Sequence, residues 1–249
     1  MRIIAVGNQK GGVGKTALAF HLIRGLVERG FSVLVIDLDP QGHLSATFRR
    51  QDRCSALHIF DDDPRISIEH VEENLDLVAS NVELAKVETR VSLESFVKLR
   101  KALRKVTGYR YVIVDCPPSL GLLTANALCA ADAILVPVTP SYFSIRALED
   151  LHGLIESVRE EGFNPGIAIG GIVMNFVERT LVAREAEEVL RERYGNVLYH
   201  TKIPKSVRVE EALQEGIPVW KFAPDTSVAR AFLDFVGEFL CREGIEHGP

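Results

Sequence analysis

The ten residues Gly7 to Thr16, GNQKGGVGKT, follow the apolar run RIIAVG (2–7) and open the amphipathic stretch TALAFHLIRGLVERG (16–30). A strand feeding a glycine-rich turn and then a helix is the frame that a phosphate-binding loop requires. Glycine lets the backbone wrap closely around phosphate oxygens, with successive N–H groups pointing inward. The helix N-terminus adds partial positive charge. In such a loop the backbone of Gly11, Gly12, Val13, Gly14 and Ala17 would line the phosphates. Lys15 would reach the β- and γ-phosphates of a nucleotide, and the Thr16 hydroxyl would ligate Mg²⁺. The spacing G-x-x-x-x-G-K-[ST] is not met, because Gln9 stands where its first glycine would fall and a second lysine, Lys10, precedes the glycines. Lys10 either adds charge within its own subunit or serves a purpose that a one-lysine loop lacks.

Downstream, short β-branched runs alternate with amphipathic segments. SVLVIDL (32–38), LDLVAS (75–80), YVIVD (111–115), AILVPV (133–138) and IAIGGIV (167–173) are nearly continuous in apolar residues. Such runs are expected where helices cover both faces of a parallel sheet. The alternation predicts an α/β fold, a doubly wound, mostly parallel sheet with helices on both faces. Gly30 is expected to stop the first helix. Residues 54–74, with DDDP inside, lack a pattern and are expected to be a surface excursion. No Pro/Gly/Ser tract divides the 249 residues, so one domain over 1–249 is expected, without an N-terminal helix-turn-helix domain. The four cysteines (54, 116, 129, 241) lack C-x-x-C spacing, which argues against a zinc site or a disulfide framework. No secretory leader and no long apolar run is apparent, so a cytoplasmic setting is expected.

Two further segments carry acids where a nucleotide hydrolase needs them. VLVIDLDPQG ends a strand with Asp37 and Asp39, two apart and so on one face of an extended chain. YRYVIVDCPPSLG places Asp115 at the end of another strand, where it could hold Mg²⁺ through water. Cys116 reads as a small buried hydrophobe.

The loop KGGVGKT resembles the deviant Walker A loop of the ParA/MinD family of dimeric ATPases. The segments around Asp37–Asp39 and after Asp115 resemble that family's switch I and switch II. The resemblance implies an ATP-sandwich homodimer in which Lys10 reaches into the partner's site. Asp39 would orient the attacking water, and Asp37 would belong to the outer shell of the metal. Ala17 stands where many relatives carry a hydroxyl residue. Near the base, Asn175 of GGIVMNFVERT and Pro204 of KIPKSVR are candidates. An Asn amide can pair with adenine's edge, or it can satisfy local backbone.

The C-terminal third resembles the ParA/Soj partition group, in which arginines matching Arg179 and Arg208 contribute to nonspecific double-stranded DNA binding. Lys205 matches another frequently basic position. The implied function is DNA partitioning with a ParB-type partner, the ATP-bound form being associated with the nucleoid. Residues 175–221 nevertheless hold as many acids as bases, so these cations could instead be surface ion-pair partners. The run VKLRKALRK (97–105) reads as a solvated helix face. The helix-like segment VARAFLDFVGEFLCREG (228–244) lacks the basic face of a membrane-binding tail and is expected to pack on the sheet. The alternatives are an ATP-gated positioning or scaffolding protein acting on a protein or polar cargo, and a metabolic enzyme that uses ATP to activate a small acid.

Overall fold

The computed structural model describes residues 1–49, 55–89 and 92–245, so Cys54 lies outside the described residues. In chain order the elements are β1 (Arg2–Val6), α1 (Lys15–Val27), β2 (Val33–Asp37), α2 (His43–Thr47), β3 (Glu69–Glu72), β4 (Leu75–Val78), α3 (Lys98–Leu103) and β5 (Tyr111–Asp115). There follow α4 (Leu122–Ala130), β6 (Ala133–Val138), α5 (Tyr142–Glu160), β7 (Ala168–Val177) and α6 (Leu181–Tyr194). The chain closes with β8 (Leu198–Pro204), α7 (Val207–Glu215), α8 (Val219–Phe222) and α9 (Ser227–Arg242).

The strands form one sheet in the order β3-β4-β2-β5-β1-β6-β7-β8. Every neighbouring pair is parallel except β3–β4. The alternation of side chains splits each strand between two cores. Ile4, Val33, Val35, Tyr111 and Ile113 face α1 and α9, whereas Ala5, Leu34, Ile36, Val112 and Val114 face the layer containing α4 and α5. The helix α1 ends as its sequence suggests. Gly30 adopts φ +79° and donates to the Val27 carbonyl, and Phe31 donates to that of Leu26.

Two expectations need correction. Residues 55–60 form a 3₁₀ turn whose Ala56 and Ile59 are buried, and β3 pairs antiparallel with β4. The segment after residue 54 is therefore partly core and partly sheet edge. Its apolar positions are too few and too widely spaced to show a period. The strand β8 has no counterpart among the predicted runs, because its exposed polar residues His200 and Lys202 interrupt the apolar pattern of an outermost strand. The helix α3 buries Leu99, Ala102 and Leu103, and Lys105 just beyond it pairs with Asp63. The helix α9 packs on the sheet through Phe232, Phe235, Val236 and Phe239, as expected. Among the described residues no helix is long and apolar enough to cross a membrane.

His21 ties α1 to the C-terminal elements. Its Nδ1 lies 2.7 Å from the Ala17 carbonyl, and its Nε2 accepts from the Val219 N–H at 3.1 Å. Its ring stacks on Phe232. These contacts suit one neutral tautomer, and burial pushes the imidazole pKa down to about 4. A folded-state pKa below the unfolded value makes stability complete above the unfolded value near 6.5 and lost as the pH falls towards 4. A shift of that size corresponds to about 3 kcal/mol. Urea titrations at pH 7 and pH 4.5 are expected to show the parent losing about 2.4 kcal/mol more than a His21→Gln variant. Equal losses would remove His21 as the acid-sensitive group.

Candidate active site

The site follows from strand register. Val6, the last residue of β1, pairs with Asp115 of β5, and Asp115 pairs with Asp37 of β2. The loop after β1 and two carboxylates are thereby set side by side at the C-terminal edge of the sheet. Here β5 lies on one side of β1 and β6 on the other, the switch point at which open α/β sheets bind ligands.

The loop's backbone is shaped for an anion. Gly12 and Gly14 adopt φ +72° and +82°, a conformation that suits glycine. Gly14 precedes α1, so the positive end of that helix's dipole faces the loop. Among the described residues, none accepts a hydrogen bond from the backbone N–H groups of Gly11 through Ala17. A side chain at Gly11 or Gly12 would point into open space, so the outer face of the loop is clear. Lys15 is buried and its Nζ donates to the Lys10 carbonyl at 3.4 Å. Burial lowers its pKa, against the raising effect of Asp115 and Asp39. Val13 is buried, and Ala17 packs in the first turn of α1.

The acids are arranged unequally. Asp37 is fully buried and accepts from the Asp39 N–H at 3.0 Å, the Ser45 N–H at 2.9 Å and the Ser45 hydroxyl at 2.7 Å. Desolvation still raises its pKa to about 6. Asp39 is buried less completely, and its carboxylate accepts from the Gln41 N–H at 2.9 Å. Asp115 accepts from the Thr16 hydroxyl at 2.8 Å through one oxygen, while its other oxygen, Oδ1, is buried and has no partner among the described residues. Burial and the neighbouring Asp37 push its pKa well above the usual carboxylate range. An orphaned carboxylate oxygen beside a threonine hydroxyl suits a hydrated divalent cation, which would offset both penalties. Thr16, Asp115 and Asp37 therefore fit a Mg²⁺ that is largely held by the phosphates of its nucleotide. No group of three or more His, Cys, Asp or Glu side chains among the described residues could hold a metal unaided.

Asn175 departs from expectation. It lies within β7 rather than after a strand, and it is fully buried. Its amide donates to the Val13 carbonyl at 2.8 Å, and its oxygen accepts from the Phe176 N–H at 3.0 Å. It braces the glycine loop through one of its two amide hydrogens. Phe176, at φ +56°, holds a conformation that is strained for an aromatic residue. Pro204 ends β8 in register with Val177. Arg179 is exposed just before α6, and Lys205 and Arg208 flank the start of α7. Lys205 pairs with Glu178 at 3.8 Å and Arg208 with Glu211 at 2.8 Å. These three cations share the C-terminal edge of the sheet but follow β7 and β8, away from the acids. Ser45 was missed by sequence reasoning. A serine eight residues after Asp37 carries no local signal for the contact it makes.

The family profile described as "AAA domain" matches residues 1–169. The chromosome-partitioning ATPase Soj of Thermus thermophilus is 36% identical over 250 residues, which cover 97% of this chain and 96% of Soj. The chain belongs to the ParA/Soj family of partition ATPases. Among solved structures, the ATP complex of a Cyanothece McdA variant superposes with a TM-score of 0.87, at 23% identity and covering 100% of this chain and 98% of that one. Cobyrinic acid a,c-diamide synthase of Mycobacterium smegmatis, with a bound ATP analogue and magnesium, gives a TM-score of 0.80 at 28% identity over 98% of this chain and 96% of that one. The doubly wound, mostly parallel sheet of this ParA-type chain is thus the fold of its family.

Gly14 tests the loop. A Cβ there would lie 2.2 Å from the Asn175 amide nitrogen at a positive φ. Gly14→Ala is expected to break the Asn175–Val13 bond and to cost about 2–4 kcal/mol by urea denaturation, with nucleotide binding weakened in parallel. Unchanged stability would show that the brace between β7 and the loop is dispensable.

Proposed function

We propose that this chain is a Mg²⁺-dependent ATPase that closes as an ATP-sandwich homodimer, binds double-stranded DNA nonspecifically and partitions DNA with a ParB-type partner. The observation that carries the reading is the convergence of Lys10, Lys15, Thr16, Asp39 and Asp115 at the ends of adjacent strands, in a chain that matches Soj over nearly its whole length. A single ParA-like domain acting in the cytoplasm, nucleoid-associated when ATP is bound, follows from the same reading.

The Mg²⁺ supplied with ATP would neutralise charge on the phosphates. The glycine loop and Lys15 hold those phosphates, and Thr16 and Asp115 face the metal. Asp37 is held by Ser45 and stays in the second layer. Asp39 orients the attacking water. Lys10 places its ammonium at the partner's transferring phosphoryl group, the work an arginine finger performs for about 10³–10⁵ in rate. Lys10→Ala is expected to keep nucleotide affinity through Lys15 while losing hydrolysis by about 10³-fold. Equilibrium nucleotide binding and phosphate release measured on the same preparation check both halves. Normal turnover would remove the trans role.

Arg179, Lys205 and Arg208 would meet DNA phosphates, and doubling them across a dimer gives a contact of few charges. Because Lys205 and Arg208 already pair with glutamates, binding should be modest and steeply weakened by salt. Binding of a random-sequence duplex should require a slowly hydrolysed ATP analogue and fall by about tenfold or more in Arg208→Glu. The same ion pairs favour a second reading, an ATP-gated positioning protein with a protein cargo. No duplex binding in any nucleotide state would select it. Turnover that depends on a small acid co-substrate would instead select a metabolic role.

A further inference from the structure

Lys10 is held in its own chain by a site that the reading above does not use. Its Nζ lies 3.1 Å from the Ser141 hydroxyl, 3.2 Å from that of Ser144 and 3.5 Å from that of Thr139. The three hydroxyls contact one another, Thr139 to Ser144 at 2.6 Å and Ser141 to Ser144 at 3.0 Å. An ammonium has three donors and no acceptor, so three oxygens satisfy it completely. The root of the lysine is fixed as well. Asn8 donates to the Pro137 carbonyl at 2.8 Å and accepts from the Lys10 N–H at 2.9 Å, which pins this part of the loop over the end of β6. Ser144 is fully buried in the first turn of α5, and its N–H donates to the Ser141 carbonyl.

We propose that Thr139, Ser141 and Ser144 are positioning residues that form a resting dock for Lys10 within its own chain, and that release from this dock limits its delivery to a second copy. The proposal rests on the reading that Lys10 acts in trans. The dock is complete in hydrogen bonds yet weak in charge. It contains no carboxylate, and neutral oxygens hold an ammonium less firmly than ionised ones. It also sits at the N-terminus of the 19-residue helix α5, where the helix dipole opposes a cation. A phosphate group offers ionised oxygens, which hold an ammonium more firmly than hydroxyls do. The lysine is therefore kept in order within its own chain, and it leaves when phosphate charge from a facing copy comes within reach.

The test reads Lys10 directly. Nucleotide-free full-length protein is treated with an amine-acylating reagent, and modification of Lys10 is followed by mass spectrometry in the parent, Ser141→Ala, Thr139→Ala/Ser141→Ala and Ser141→Thr. Loss of one hydroxyl is expected to raise the Lys10 acylation rate by about fivefold, and the threonine variant to restore it. In steady-state ATP turnover the alanine variants should raise kcat with KM for ATP unchanged, since Lys15 and the glycine loop are untouched. Ser141→Asp supplies the missing carboxylate and should do the reverse, protecting Lys10 and lowering kcat. Unchanged Lys10 reactivity in both alanine variants would overturn the dock. Raised reactivity without a rise in kcat, in a protein that Lys10→Ala inactivates, would overturn release as the limiting step. Raised reactivity together with normal turnover in Lys10→Ala would leave the dock standing and overturn the trans-lysine reading beneath it.

Discussion

Asp37 and Asp115 end two adjacent parallel strands in direct register, and both are completely buried. Two ionised carboxylates cannot share such a place without compensation, because burial and mutual repulsion both oppose charge. Much of the surrounding structure can be read as that compensation. Asp37 receives three hydrogen bonds from Asp39 and Ser45, while the charge of Lys15 acts on Asp115 from the glycine loop. Asp115 receives only the Thr16 hydroxyl, and its second oxygen remains unmatched among the described residues. The protein thus satisfies one acid internally and leaves the other open, under the function proposed above, to a cation that arrives with the nucleotide.

The same logic organises the approach to the site. Asn175 spends its amide on the Val13 carbonyl, so β7 stiffens the turn that presents the loop's N–H groups. His21 ties the helix that follows the loop to α8 and α9 through a neutral ring. The C-terminal helix is therefore part of the loop's foundation, since α1 cannot shift without moving it. At Gly25 even a single added carbon would lie 2.6 Å from Val236, so α1 and α9 meet almost backbone to side chain. A loop built on left-handed glycines is thus supported by contacts from both ends of the chain.

The polar rim beyond β7 and β8 is built differently. Arg208 and Lys205 are exposed and engaged with neighbouring glutamates, so each pair is a weak surface interaction that a stronger anion can displace. A contact of this kind suits reversible, salt-sensitive binding better than tight recognition.

The glycine spacing, the strand-ending positions of Asp37, Asp39 and Asp115 and the continuous apolar runs were legible in the order of residues, because local backbone demands and strand burial act over a few positions. They determined the α/β class, the phosphate loop and the acids grouped around it. Sequence could not say that Asn175 faces the loop, since its partner Val13 lies 162 residues earlier, after β1, and β6 stands between β1 and β7 in the sheet. It could not say which of Asp37 and Asp115 is satisfied by the chain's own donors either. Both end apolar strands, and only packing decides that Ser45 satisfies one while an oxygen of the other has no partner among the described residues. The hydroxyls around Lys10 come from a strand end and the first turn of a helix about 130 residues away, and single serines carry no local signal. Short-range chemistry is written in the chain, whereas which buried polar groups find partners is decided by strand order and register.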